Sequence, residues 1–349
     1  MPARRTGWRA VRYTRGMASG REVPGGGAGR RAPGAVAYLP WVLAAPWVVW
    51  AVVRAGGLEA GFPLVPALAL TPVAAATSVV PVAVALLARR WGAAAAALAA
   101  AAVLAACVLP RALPGPSPAV APEGPQLRVL TLNLLAGGAD SDAVVDLVRR
   151  SDADVLAVQE ATPAAVDALE RAGLGADLPH AVVDAAPGVA GGALYARHPV
   201  QRVGAPVVPS GPVFALPRAR IAVPGAPPVE AASVHPMPPL GGAAVSAWER
   251  AIDGLPPADS GGPLRILAGD LNATLDHAAL RALLATGYTD AADAAGAGLR
   301  PTWPGEPLPF AALDHVLVDA RAAVDAVEVH DVPGTDHRAV LAELTLPAA

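Results

Sequence analysis

Three apolar stretches, 35–53, 62–88 and 91–109, crowd into the first third of this 349-residue chain and carry almost no charge. Each comes close to the roughly 20 residues that a helix needs to cross a bilayer. A helix that is apolar on every side has to be buried, in protein or in lipid. Arginine placement favours lipid: eight Arg precede the first stretch, Arg54 alone follows it, and Arg89 and Arg90 separate the second from the third. The positive-inside rule then keeps the N-terminus and the "ARRWG" turn in the cytoplasm. Three crossings leave everything after Leu109 on the outer side, a multi-pass cell-membrane protein with its globular part extracytoplasmic. Trp41, Trp47, Trp50 and Trp91 suit an interfacial belt. The alternatives are buried helices or a signal peptide, since "GRRAPGAVAYL" has a twin-arginine look and Met17 is a second candidate start. A cleaved signal would not be followed by two further apolar runs. The second stretch, with Pro63, Pro66, Pro72 and Pro81, is the weakest candidate span.

The expected organisation is a basic cytoplasmic tail (1–34), a transmembrane region (35–110), a Pro-rich linker (111–126) and a globular domain (127–349). The stretch "LPRALPGPSPAVAPEGPQ" reads as a semi-rigid spacer holding that domain off the bilayer. A net charge of −3 hides an asymmetry: 12 Arg stand against 2 Glu in 1–122, and 14 Arg against 27 Asp and Glu after it. The acidic part therefore lacks the basic stripe that gives nucleic acid a foothold. All 26 basic residues are Arg, which with the abundant Ala, Pro and Gly reflects a GC-rich genome rather than a function. Cys107 is the single cysteine, so no internal disulfide forms.

Beyond the linker, strand-length and helix-length patterns alternate. "LRVLTLNLL" and "ADVLAVQE" read as strands; "DSDAVVDLVRRS" and "TPAAVDALERAG" read as helices, the second capped by Thr162, opened by Pro163 and stopped at Gly173. Strands are expected near "GALYAR", "RARIAV", "VEAASVH", "LRILAGD", "LDHVLVD" and "AVLAELTL", with helices near 243–254 and 277–286. Mixed elements joined by short turns predict a layered α/β sandwich. Polar residues fall at the strand ends: Asn133, Glu160, His235, Asp270 with Asn272, Asp314 with His315, and Asp336 with His337. Strand ends of a sandwich converge on one edge, so these groups are expected to share one cleft. Asp and Asn also close strands simply as turn formers, but Asn133 inside an apolar strand resists that reading, because burying an unpartnered amide costs a few kcal/mol.

The segments "TLNLL", "VLAVQE", "GGALYARHPV", "SVHP", "LAGDLNAT", "LDHVLVD" and "GTDHRAV", in this order over 127–346, resemble the endonuclease/exonuclease/phosphatase superfamily of metal-dependent phosphoesterases. The resemblance implies a four-layered α/β/β/α sandwich, which here follows about three transmembrane helices as read above, and a hydrolase acting on phosphoester bonds. It implies Glu160 as principal metal ligand, with Asn133 and Asp336 helping to hold the metal and its waters. Mg²⁺, or Mn²⁺ in its place, suits such oxygen ligands. Asp270 resembles the water-activating residue, and Asn272 positions the phosphate; in an extended chain residues i and i+2 point the same way. His337 would stabilise transition-state charge, Asp314 would orient it and keep it protonated, and His235 fits a second imidazole, although "PMPPLGG" after it departs from the family pattern. His315 reads as a packing residue; His180, His198, His277 and His330 as ordinary. Arg197 matches a family segment but equally suits the surface, and Tyr195 is weaker.

Several apolar spans followed by such a domain also resemble actinobacterial membrane proteins linked to teicoplanin-type glycopeptide resistance. The implied substrate is a lipid or envelope precursor at the outer face; the alternatives are an extracellular nuclease acting on nucleic acid, or a non-catalytic envelope sensor or scaffold. Partners are then the phosphoester substrate and the lipid bilayer; no protein partner is expected.

Overall fold

The computed structural model describes residues 38–115, 122–204, 214–305 and 307–349. The basic tail and the middle of the Pro-rich linker lie outside the described residues. Residues 39–349 form one compact unit.

Its first part is helical. Helix α1 (Leu39–Gly56) leads into a broken run: α2 (Leu64–Ala67), a 3₁₀ turn over Leu68–Leu70, α3 (Thr71–Thr77) and α4 (Val79–Leu87). Helix α5 (Trp91–Val108) follows. Proline cannot donate in the helical ladder and crowds the preceding turn, which accounts for the fragmentation of the proline-bearing stretch. Helix α1 and the α5 region are each long and apolar enough to cross a membrane; the α2–α3 and α4 pieces, bent by 41°, count as a third span if taken together. Their outer surfaces expose Val42, Val49, Val52, Val79, Leu87 and Leu98, apolar surface of the kind that marks an interaction site where it is contiguous. Trp41 and Trp91 stay exposed near the helix starts. Trp47 and Trp50 instead turn inward, their indole N–H groups donating to the Ala74 carbonyl and the Thr71 hydroxyl at 3.0 Å each. They tie α1 to α3, both lying in the middle and later turns of α1 where α3 packs.

The globular part runs β1 (Gln126–Asn133), α6 (Ser141–Arg150), β2 (Val155–Gln159), α7 (Pro163–Arg171), α8 (Leu174–Asp177), β3 (His180–Asp184), β4 (Gly192–Ala196), β5 (Val200–Arg202), β6 (Arg218–Ile221) and β7 (Val229–Val234). It continues with α9 (Gly242–Asp253), β8 (Leu264–Asp270), α10 (Ala278–Leu284), β9 (Tyr288–Asp290), α11 (Ala291–Ala294), β10 (Asp314–Asp319), β11 (Ala323–Asp331) and β12 (Arg338–Thr345). Two six-stranded mixed sheets result, in the orders β11-β12-β1-β2-β4-β3 and β5-β6-β7-β8-β10-β9.

Period-two alternation builds the layers. Leu127 and Val129 of β1, Val155 and Ala157 of β2, and Leu264, Ile266 and Ala268 of β8 fill the space between the sheets. Leu130 and Leu132, on the opposite face, pack with Val144, Val148 and Leu169 of α6 and α7. Leu267 and Leu317 pack with Trp248 and Ile252 of α9 and Leu280 of α10. This is the expected four-layered sandwich. The anticipated Thr162 cap forms, accepting from Ala165, and Gly173 takes φ +97° just past α7; Asp140 caps α6, accepting from the amides of Asp142 and Ala143. Strands β3, β5, β9 and β11 had no expectation; β5 and β9 are only three residues long, and β11 is a half-exposed edge.

The helical part docks directly on the sandwich. Asp276, fully buried, accepts from Arg54 Nε at 2.5 Å and from both terminal nitrogens of Arg111 at 2.9 and 2.6 Å. Arg54 closes α1 and Arg111 follows α5, so both helix ends are fastened to one carboxylate. Gly115 donates to the Ala294 carbonyl at 2.8 Å, so the expected spacer begins as a docking segment. His277 adds a further tie: its Nδ1 accepts from the Thr274 amide at 2.8 Å, which leaves Nε2 to donate to the Val65 carbonyl at 3.0 Å. Burial holds its pKa below the usual imidazole range, in keeping with this neutral form. Removing one partner of a buried ion pair strands the other charge, at about 3–5 kcal/mol. Asp276→Ala is therefore expected to lower the stability of the detergent-solubilised full chain by about that much, read from thermal or denaturant unfolding; an unchanged midpoint would refute the docking role.

Candidate functional site

The alternation that fills the core also delivers the site. Asn133 extends the inward-facing series Leu127, Val129 and Thr131 of β1. Asp270 extends Leu264, Ile266 and Ala268, and Asp314 heads the series Val316 and Val318 of β10. His235 follows Ala231 and Ser233 beyond β7. Each core-facing row changes from apolar to polar at the same end of the sandwich, with Asp270 directly opposite Asp314 in the antiparallel register. Gly269 precedes Asp270 because a Cβ there would lie 2.0 Å from the Val234 carbonyl oxygen of the neighbouring strand.

Glu160 breaks the parity. Val155, Ala157 and Gln159 face inward, so strict alternation would turn Glu160 away; φ +55° redirects its side chain into the cleft. Asn272 is likewise left-handed, at φ +48°. Its amide donates to Asp270 Oδ1 at 2.8 Å and its Nδ2 to the Pro236 carbonyl at 3.0 Å. Asn272 does line the cleft beside Asp270, but through a turn and not by the extended i, i+2 geometry expected. Non-glycine residues in this region cost on the order of 1 kcal/mol or more and persist where the surroundings fix them.

The side chains converge. Asn133 Nδ2 donates to Glu160 Oε1 and Asp270 Oδ2, both at 3.1 Å, while its Oδ1 accepts from the Leu135 amide at 3.0 Å. That backbone donor fixes which end of the amide is oxygen. His235 Nε2 stands 3.8 Å from Glu160 and 3.6 Å from Asp270. His337 Nδ1 donates to Asp314 Oδ2 at 2.9 Å, and its Nε2 lies 3.7 Å from Asp270 and 4.0 Å from Asp336. Asp336 accepts from Trp303 Nε1 at 3.1 Å. All eight site residues named from the sequence (Asn133, Glu160, His235, Asp270, Asn272, Asp314, Asp336 and His337) belong to this one network.

Charge is the outstanding feature. Glu160, Asp270, Asp314 and Asp336 gather four carboxyls around two imidazoles. Burial first, and then the Asp314 carboxylate, push the Asp270 carboxyl above its ordinary range, against the pull of His337 and His235. Burial would discharge His337, yet the Asp314 carboxylate, the hydrogen bond to it and Asp270 outweigh that and raise its pKa to about 10. His337 is therefore an imidazolium at neutral pH, able to donate to an anion. Asp270, Asp314 and His337 present ligand atoms within 4.8 Å of one another, a grouping that could hold a metal ion with His337 in its neutral form. Buried side-chain atoms without a hydrogen-bond partner among the described residues include Asp314 Oδ1, Asp336 Oδ1 and His235 Nδ1. Oxygen-rich, anionic and under-satisfied, the cleft matches the donor preference of a hard divalent cation.

Other residues sort cleanly. His315 is buried on the outer side of β10, bonded to Asp290 at 2.6 Å and to the Ala273 carbonyl at 2.9 Å; it packs and clips the chain after Asn272. Arg197 pairs with Asp152 and Asp154 at the far end of β4, and Tyr195 is enclosed in the core under α6 and α7. Sequence reading missed Trp303, Phe214, Phe310 and Leu240, which line a cleft of about 430 Å³ over the site, as do Pro66, Ala69 and Leu70 of the helical part. They come from loops and from the broken helical run, where no periodicity marks them.

Residues 130–337 match the family model described as Endonuclease/Exonuclease/phosphatase family. No curated protein matches the chain. Among solved structures, an endonuclease/exonuclease/phosphatase from Beutenbergia cavernae superposes with a TM-score of 0.51 at 21% identity, covering 64% of this chain and 72% of that one. Sphingomyelinase C from Streptomyces griseocarneus gives 0.43 at 19% identity, covering 63% and 99%. A 3′ phosphatase from Neisseria bound to product DNA hairpin gives 0.46 at 19% identity, covering 62% and 98%. With the family model spanning more than half the chain, this protein belongs to the endonuclease/exonuclease/phosphatase family, hydrolases acting on phosphoester bonds.

Proposed function

We propose that the chain is a membrane-anchored, divalent-metal-dependent phosphoesterase, cleaving phosphodiester or phosphomonoester bonds of a lipid or envelope substrate at the outer face of the membrane. The observation that carries this reading is the meeting of Asn133, Glu160, His235, Asp270 and His337 in one cleft walled partly by the apolar helical region. Glu160 is assigned as the principal ligand of Mg²⁺, or of Mn²⁺, with Asp336 contributing an oxygen. Asn133 helps through its amide N–H, which aligns the Glu160 and Asp270 carboxylates, since its oxygen is committed to Leu135. Such a cation, when bound, withdraws charge from phosphoryl oxygens and lowers the pKa of water.

The protein's own groups supply the rest. Asp270 accepts the proton of a water whose oxygen forms the new bond to phosphorus, and its raised pKa makes it a stronger base than a solvated carboxylate. The bond from phosphorus to the leaving oxygen breaks, and that oxygen ends protonated. His337, charged and oriented by Asp314, donates to the phosphoryl oxygens as their charge grows. Asn272 and His235 flank the phosphate. Orientation follows from the arginines: the α4–α5 turn carries Arg89 and Arg90 and is assigned to the cytoplasm, while the opposite helix ends dock the catalytic domain. A nuclease remains the second reading, supported by the family alone; the acidic domain and the apolar mouth weigh against it.

Glu160→Ala and Asp270→Ala are expected to lower kcat towards bis-p-nitrophenyl phosphate by about 10²–10⁴-fold with secondary structure retained. EDTA should abolish turnover and Mg²⁺ or Mn²⁺ restore it. Wild-type rates in both variants would remove the site assignment, and plasmid cleavage as the dominant activity would favour the nuclease. A further expectation concerns Asp314→Asn. His337 has a folded pKa raised above its unfolded value, so the stabilisation it brings is complete below about pH 6.5 and lost as pH rises through about 10. In the metal-free full chain, imidazole NMR should show His337 titrating at lower pH in Asp314→Asn; an unmoved titration would detach Asp314 from this role.

A further inference from the structure

Leu70, at the end of the 3₁₀ turn before α3, belongs to two cavities at once. It lines the catalytic cleft, and it also lines a groove of about 240 Å³ between α1 and α3, with Pro46, Trp47, Trp50, Val73 and Ala74. At Leu70 the groove between α1 and α3 therefore adjoins the cleft over the carboxylate cluster. Its walls are apolar, and their polar atoms are already used: the Trp47 and Trp50 indole N–H groups donate to the Ala74 carbonyl and the Thr71 hydroxyl. Thr77, the remaining polar side chain on the lining, returns its hydroxyl to the Val73 carbonyl at 2.8 Å. Sugars and bases find no free side-chain donor among these residues, whereas a hydrocarbon chain needs none. Leu240 and Phe310, both exposed and apolar, line the same cleft as Leu70.

We propose that this groove is the apolar subsite of the enzyme and holds a hydrocarbon chain of a lipid phosphoester, whose phosphate reaches Asp270 and His337. The assignment rests on the phosphoesterase reading above and deepens it, because it makes the membrane region a wall of the substrate site and not merely an anchor. Leu70 is the junction between chain and headgroup. Val73, half-exposed on α3, is a position where a larger side chain would fill the groove without adding charge.

The test uses the full chain in lipid nanodiscs with Mg²⁺ and two substrates sharing a leaving group, ethyl p-nitrophenyl phosphate and hexadecyl p-nitrophenyl phosphate. The wild type is expected to favour the hexadecyl diester in kcat/KM by about tenfold or more, and Val73→Trp to reduce that ratio by a similar factor. A ratio near one in the wild type, or an unchanged ratio in Val73→Trp, overturns the proposal. Labelling with a diazirine-bearing hexadecyl phosphate separates the subsite from the chemistry, since it needs no turnover and can be read in Asp270→Asn. Crosslinks on residues 46–50 and 70–77, stronger than those from the matching alkyl alcohol without phosphate, support the subsite even if neither diester is cleaved. Equal labelling by the alcohol identifies ordinary bilayer lipid, and labelling elsewhere identifies no chain site; either result overturns the proposal.

Discussion

A single side-chain amide joins the two halves of the catalytic sandwich where the chemistry is concentrated. Asn133 ends the central strand of one sheet and gives its two N–H bonds to Glu160 of the same sheet and Asp270 of the other. Two carboxylates at such close quarters repel each other, and an amide donor between them is a neutral way to hold both in place. The other groups build outward from this contact. Asp314 faces Asp270 across the β8–β10 pairing, and His337 is held between them.

The same cleft is electrostatically unfinished. Four carboxyls share two imidazoles, and two of their oxygens, Asp314 Oδ1 and Asp336 Oδ1, have no donor among the described residues. The core-facing rows of β8 and β10, apolar along their length, end in Asp270 and Asp314, while Glu160 enters by its left-handed backbone and Asp336 from the turn before β12. The apolar part of each row supplies the burial that offsets the cost of gathering like charges, and the acidic end is left able to attract a cation and an anionic substrate together.

The helical part and the sandwich are fastened to each other. Asp276 accepts from Arg54 and Arg111, and His277 holds the Val65 carbonyl. A buried carboxylate that satisfies two guanidinium groups specifies an orientation more sharply than an apolar contact does, because both charges are stranded if either partner moves. That fixed orientation lets Pro66, Ala69 and Leu70 serve as part of the cleft.

Much of this was legible in residue order alone. The apolar stretches, the alternation of "LRVLTLN" and "LRILAGD", and the polar residues closing those runs announced both the sandwich and its site, because a strand's facing follows from counting by two. Counting failed at Glu160 and Asn272, whose left-handed backbones turn them into the cleft, and at Trp47 and Trp50, whose partners lie on α3. Sequence by itself determined which rows are buried, where they turn polar and which segments seek an apolar surrounding, since local periodicity carries that information. Only the tertiary structure decided that Asp276 fastens two helix ends and that Leu70 borders both the carboxylate cleft and the groove between α1 and α3. Those contacts link residues more than a hundred positions apart, and no local pattern encodes which distant surfaces will meet.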